Sequence, residues 1–198
     1  MSLTTTTETA NPAVRIVNGG ELPAAGTYAL DASHSQVGFA VRHLMVSKTR
    51  GRFSDFAGTV EIAENPLESS VAVTVQTASI DTRDEQRDGH LRSGDFFDTE
   101  THPAMTYVSR SVRESGQGRY VLEGDLTIKG VTQPVPLELT FEGGATDPWG
   151  GVRIGFSAKA ELDREAFGLT WNQALETGGV VVGKKVTIEI EAEAVKQG

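Results

Sequence analysis

From about residue 28 to the C-terminus, apolar and polar residues alternate along the chain. Val37, Phe39 and Val41 share one parity, and so do Val71, Val73 and Val75. Leu122, Leu126 and Ile128 oppose Glu123, Asp125, Thr127 and Lys129, while Val135, Leu137, Leu139 and Phe141 alternate with Pro136, Glu138, Thr140 and Glu142. The same rhythm runs through Ile154–Asp163 and Val186–Ala194. Successive side chains on a strand point to opposite faces, so each segment has one apolar and one wet face. Little helical sequence is available to cover the apolar faces. They must cover one another, as two packed sheets or as one sheet rolled into a barrel.

The pattern predicts strands at Thr27–Leu30 and near 35–46, 52–62, 71–79, 104–110, 118–129, 134–143, 151–162 and 184–195. Asn65-Pro66, Glu114-Ser115-Gly116, Lys129-Gly130 and Gly143-Gly144 are turn signals between them. Many of these strands reach nine residues or more, roughly 30 Å each at ~3.4 Å per residue. About eight such strands suit an extended antiparallel barrel, which has no free edges. A barrel of that size is either plugged by its own side chains or holds one small ligand. The inward residues are mostly Val, Leu, Ile and Ala, with bulky rings only at 39, 53, 56, 96, 97, 156, 167 and 171. A tunnel with that lining would be dry and would suit a long apolar ligand. Pattern alone leaves a filled β-sandwich equally open.

Residues 81–98 break the rhythm. Thr82 followed by Glu85 reads as a capping box and Gly94 as a C-cap, predicting a short helix at about 83–93. The tandem Phe96-Phe97 after this charged helix suggests a lid over an apolar opening.

Composition narrows the partners. With 18 Lys plus Arg against 27 Asp plus Glu the net charge is −9, which disfavours nucleic acid and anionic membrane as main partners. Yet Arg42, Lys48, Arg50 and Arg52 form a basic island without an acidic residue between them. It reads either as edge-strand decoration or as a mouth attracting an anionic head group. The absence of cysteine excludes disulfides and thiolate chemistry. No run approaches the ~18 apolar residues of a membrane span. The Thr-rich start lacks the features of an export signal, so a cytoplasmic protein is expected, with residues 1–26 a flexible extension and 27–198 one barrel domain.

Catalytic and metal motifs are weak. His34, His43, His90 and His102 stand in no HxH or HExxH arrangement, so no metal is expected. His43 keeps the inward parity of Val41, and His102 precedes Pro103 in a turn. Ser33 and Ser35 flank His34, but strand neighbours point apart and make no dyad. Asp88 with His90 is the one acid–base pair worth carrying forward.

Four stretches together resemble the YceI-like, polyisoprenoid-binding family. They are YALDASHSQVGFAVRHLMVSKTRGRFSDFAGTV at 28–60, SIDTRDEQRDGHLRSGDFFDTETHPAMTYVS at 79–109, GDLTIKGVTQPVPLEL at 124–139 and LDREAFGL at 162–169. The resemblance implies an all-β, eight-stranded lipocalin-like barrel with a long apolar pore holding a polyprenyl lipid or isoprenoid quinone. It would place the pore lining on Val37, Phe39, Val41, Met45, Phe53, Val73, Val75, Phe96, Phe97, Leu126, Leu139, Phe156, Phe167, Leu169 and Trp171. Arg42, His43, Arg50, Arg87, Asp88 and His90 become candidates for the head group or pore mouth. The expected function is binding, storage or transport of a long isoprenoid, without catalysis and with no cofactor beyond the lipid. The alternatives are an enzyme acting on a lipid or quinone through Asp88 and His90, and a stress-related structural module with a filled pore. Pairing of two copies through exposed strand surface stays open.

Overall fold

The computed structural model describes residues 11–17, 19–174 and 179–198. Its strands in chain order are β1 (Val14–Val17), β2 (Gly20–Pro23), β3 (Gly26–Leu30), β4 (Gln36–His43), β5 (Ser47–Phe53), β6 (Phe56–Ile62), β7 (Ser70–Gln76) and β8 (Ile80–Asp81). After helix α1 (Glu85–Arg92) come β9 (Ala104–Gly116), β10 (Arg119–Ile128), β11 (Val131–Pro134), β12 (Leu137–Thr146), β13 (Val152–Asp163) and β14 (Val182–Lys196).

The pairing explains how these make an eight-stranded barrel. β3 pairs with β6 while β4 pairs with β5, so residues 26–43 and 47–62 act as two long, bent staves side by side. β7 and β8 form the third stave, against β6 and β5 respectively. β9 and β10 follow, then β11 with β12, both paired to β10, then β13 and β14. β14 returns to the first stave, meeting β3 with its C-terminal end and β4 with the rest. Every pairing is antiparallel and the ring is closed, so each stave has a neighbour on both sides.

Two corrections to the strand reading have plain causes. The strand expected over 35–46 ends at His43, and β5 was missed. In β5 the inward positions are Thr49, Gly51 and Phe53, too polar and small to signal a buried face. The strand expected over 71–79 stops at Gln76, where a 3₁₀ turn, Thr77–Ser79, takes over. The helix was placed well, but its caps differ. Asp84, not Thr82, is the N-cap and accepts from the Arg87 N–H, and Ser93 rather than Gly94 ends the helix.

Part of the stretch expected to be a flexible extension is built into the fold. β1 and β2 form a hairpin, Ala13 is fully buried, and Arg15 donates to Ala63 O at 2.7 Å. Residues 1–10 lie outside the described residues. Ala13 packs in a small apolar cluster with Tyr28, Ile62, Ile154 and Ala194. The larger cluster includes Phe53, Phe56, Ile80, Phe96 and Phe167.

Candidate functional site

The larger cluster surrounds a hollow inside the barrel. Val37, Phe39, Val73, Leu126, Leu139, Val186, Ile188 and Ile190 face the core but are only half-buried. Interior side chains in a close-packed core keep almost no accessible surface. Here they border a cavity of about 300 Å³ whose walls are almost wholly apolar. Gly51 makes room for the Phe39 ring of this wall, because a Cβ there would strike that ring and approach the Thr82 methyl to 2.8 Å. Tyr107 stands in the wall with its hydroxyl 3.0 Å from Leu122 O and 3.1 Å from Val135 O. Burial, reinforced by Glu123 and Asp125, pushes its phenol well above the ordinary tyrosine range, so it stays a neutral donor.

A second, more polar hollow of about 460 Å³ adjoins the pore at the helix end. Phe39, Val41, Leu91, Phe96 and Val182 border both spaces, forming the throat. Arg42, His43, Arg87, His90 and Trp171 line the outer space. His90 packs edge-on to Trp171 at 4.6 Å and to Phe96 at 5.1 Å, so the ring is part of the lid's aromatic seam. The lid is tied down by hydrogen bonds. Asp88 accepts from the Thr82 backbone N–H at 3.0 Å and from its hydroxyl, Arg87 donates to Thr82 O at 2.8 Å, and Arg92 reaches Ala78 O and Ile80 O. Lys129 Nζ clamps Gly94 O at 2.7 Å.

Of the lining residues expected from sequence, Val37, Phe39, Val41, Phe53, Val73, Val75, Phe96, Phe97, Leu126, Leu139, Phe156 and Leu169 border the pore. Met45 does not: it sits at the tip of the β4–β5 turn, 62% exposed, because the strand expected to carry it inward ends at His43. Phe167 is buried in the core outside the cavity wall, held there by the 3₁₀ turn Arg164–Phe167. Trp171 lines the outer hollow rather than the pore.

The polar candidates separate as well. Arg42, His43, Arg87 and His90 meet at the mouth. Arg50 lies on the outer face of β5 and is exposed. Asp88 is buried and serves Thr82, and His90 pairs with Asp95 at 2.9 Å, so the two do not form the acid–base couple considered above. Ser33 Oγ does approach His34 Nδ1, at 3.1 Å, because the pair sits in a turn rather than a strand. The same nitrogen meets Asp31 at 2.8 Å, so one ring atom serves both partners and no relay across the imidazole exists.

Sequence reading missed Arg164. It is 3% exposed, borders the pore, and donates to Gly183 O at 2.9 Å and to Leu169 O. Its guanidinium lies 6.0 Å from the Phe96 ring centroid, and Nη2 has no hydrogen-bond partner among the described residues. Burial lowers its pKa from the ordinary arginine value. The only sequence signal was a charged residue directly after an alternating strand, inside LDREAFGL.

No helix among the described residues is long and apolar enough to cross a membrane. The family model of the YceI-like domain matches residues 28–194. A UPF0312 protein of Staphylococcus aureus is 41% identical over 168 residues, covering 84% of this chain and 95% of its own. One from Staphylococcus epidermidis is 42% identical over 165 residues, covering 82% and 94%. Among solved structures, a YCEI protein of Campylobacter jejuni superposes with a TM-score of 0.68 at 27% identity, covering 79% of this chain and 90% of that one. BcnA of Burkholderia cenocepacia, at 24% identity, shares the fold with a TM-score of 0.73, over 83% of this chain and 98% of its own. So does a polyisoprenoid binding domain from Saccharophagus degradans, at 16% identity and a TM-score of 0.66, over 86% and 98%. With the domain match spanning nearly the whole barrel and two relatives above 40% identity, the chain belongs to the YceI-like family.

Proposed function

We propose that this protein binds one long isoprenoid chain in its pore, as a carrier or store, and performs no chemistry on it. The observation that carries the reading is the closed barrel around a dry cavity of about 300 Å³. An apolar cavity of about 150 Å³ holds a benzene ring, roughly 25 Å³ per carbon, so this one has room for about 12 carbons. With five carbons to an isoprene unit, that is a stretch of about two to three units held inside the pore at once. Each CH₂ withdrawn from water contributes roughly 0.8 kcal/mol, so a tail that fills the pore needs no specific contacts to bind. The Saccharophagus degradans domain, described as polyisoprenoid binding, shares the barrel and supports the choice of lipid class. A quinone or phosphate head group would remain in the outer hollow beside Arg42, His43, Arg87 and His90. Arg164, beside the Phe96 ring, offers a spare buried donor. Beyond the lipid no cofactor is required.

Native mass spectrometry after incubation with squalene, geranylgeraniol or a prenylated benzoquinone tests this. Uptake of one molecule per chain is the expected result. Failure of the protein to retain any of the three would overturn the reading.

A further inference from the structure

We propose that the β4–β5 turn is a membrane-docking tip that seats the pore mouth on an anionic lipid surface. The argument begins with backbone geometry. Leu44 and Met45 have φ of 50° and 60°, and the Val46 N–H donates to His43 O at 3.1 Å. The connection is the three residues Leu44-Met45-Val46 between the paired His43 and Ser47, and its first two are left-handed, a conformation that ordinarily selects Gly or Asn. Side chains with a Cβ are strained there. The other non-glycine residues with positive φ among those described are Arg83, Asp98 and Lys129, all polar. Only this turn puts large apolar side chains in that conformation.

Packing does not compensate for the strain. Met45 is 62% exposed, Val46 79% and Leu44 37%. The tip is nevertheless held in place, since the Leu44 N–H donates to Val181 O at 2.9 Å and Val181 lines the outer hollow. Strain combined with exposure at a fixed position is the mark of a feature kept for contact with something else.

Charge identifies the partner. Arg42 lies opposite Lys48 in the β4–β5 ladder, and Arg50 follows on the same outer face. None of the three is in an ion pair among the described residues, whereas Arg52 is bound to Asp81 at 3.1 Å. Three apolar side chains ahead of three unpaired cations fit a bilayer with acidic head groups, the apolar tip in the acyl boundary and the cations at phosphate depth. A second copy of the chain fits poorly, because two such tips would oppose cation to cation. Nucleic acid would leave the apolar tip uncovered. Arg42 and His43 also line the mouth, so docking here lets an apolar tail pass between bilayer and pore without crossing water. This inference concerns the outer surface and does not depend on what fills the pore.

Liposome flotation of the full chain, with phosphatidylcholine vesicles carrying or lacking phosphatidylglycerol, is the test. The wild-type protein should float with the acidic vesicles only and release in high salt, because Debye screening shortens the attraction. The double variant Met45→Asp, Val46→Asp should bind at least tenfold more weakly. Each of Arg42→Gln, Lys48→Gln and Arg50→Gln should weaken binding about fivefold, equivalent to about 1 kcal/mol per basic residue near such a surface. Thermal melts establish that the Asp variant is folded. Wild-type protein that ignores both vesicle types, or variants that float like wild type, would overturn the proposal. So would a wild-type dimer in sedimentation that Met45→Asp, Val46→Asp dissociates without any change in flotation.

Discussion

A side chain added to the pore wall should weaken ligand uptake without destabilising the protein. Val73 is the position of choice, being inward-facing, half-buried and part of the cavity lining. Val73→Phe adds about four carbons to a space that holds about 12. Displacing four methylene equivalents of a bound tail forfeits about 3 kcal/mol at ~0.8 kcal/mol each. A flexible tail that shifts along the pore recovers part of this, so the expected loss of affinity is about ten- to hundredfold. Stability should move differently. In a close-packed core the added carbons would cost about 1–3 kcal/mol, and at ~2–4 °C per kcal/mol the melting temperature would fall by roughly 2–12 °C. In a hollow the ring gains dispersion contacts it would otherwise lack, and the melting temperature should hold or rise. Titration with an apolar dye such as N-phenylnaphthylamine measures the first quantity and calorimetry the second. Undiminished dye uptake together with a melting temperature lowered into that range would refute the hollow-barrel argument.

Two further outcomes follow from the anchoring of α1 and from the carboxylates around Arg153. Asp88→Ala removes the buried acceptor of two Thr82 donors and should cost about 1.5–3 kcal/mol, concentrated in the lid. Hydrogen exchange should show faster exchange over α1 with β13 and β14 unchanged, and uniform protection would contradict the anchoring role. Arg153 bridges Asp31 and Asp147 at 2.7 Å each. The Ser33 hydroxyl, then Arg153 and His34, hold the Asp31 carboxyl far below the usual range, and Arg153 with the Gly151 N–H lowers Asp147. Carboxyls depressed on folding stabilise the native state fully above their ordinary value of ~3.9 and progressively less as the pH drops beneath it. Arg153→Gln should therefore lower the urea midpoint near neutrality, with the gap from wild type narrowing steadily below about pH 3.9. A gap that is constant with pH would rule out the carboxylate linkage.

Alternation alone determined that this chain is an all-β protein with one-faced strands, because side-chain direction on a strand is a local consequence of backbone geometry. Charge spacing and the tandem Phe96-Phe97 located the helix and the lid for the same reason: both depend on near neighbours. What lay between was decided by contacts distant in sequence. Thr49, Gly51 and Phe53 line a stave only because β4 supplies Phe39 to lie over Gly51. Met45 turns outward, Phe167 tucks behind the wall and Arg164 enters it, since a turn or a 3₁₀ bend reverses the strand's parity at each place. Asp88 and His90 look like a couple two residues apart, yet Thr82 and Asp95 claim them separately. The cavity itself is the clearest tertiary result. The same inward Val, Leu and Ile residues could fill a sandwich, and they enclose empty space because closing eight staves into a ring sets a radius that their side chains do not span.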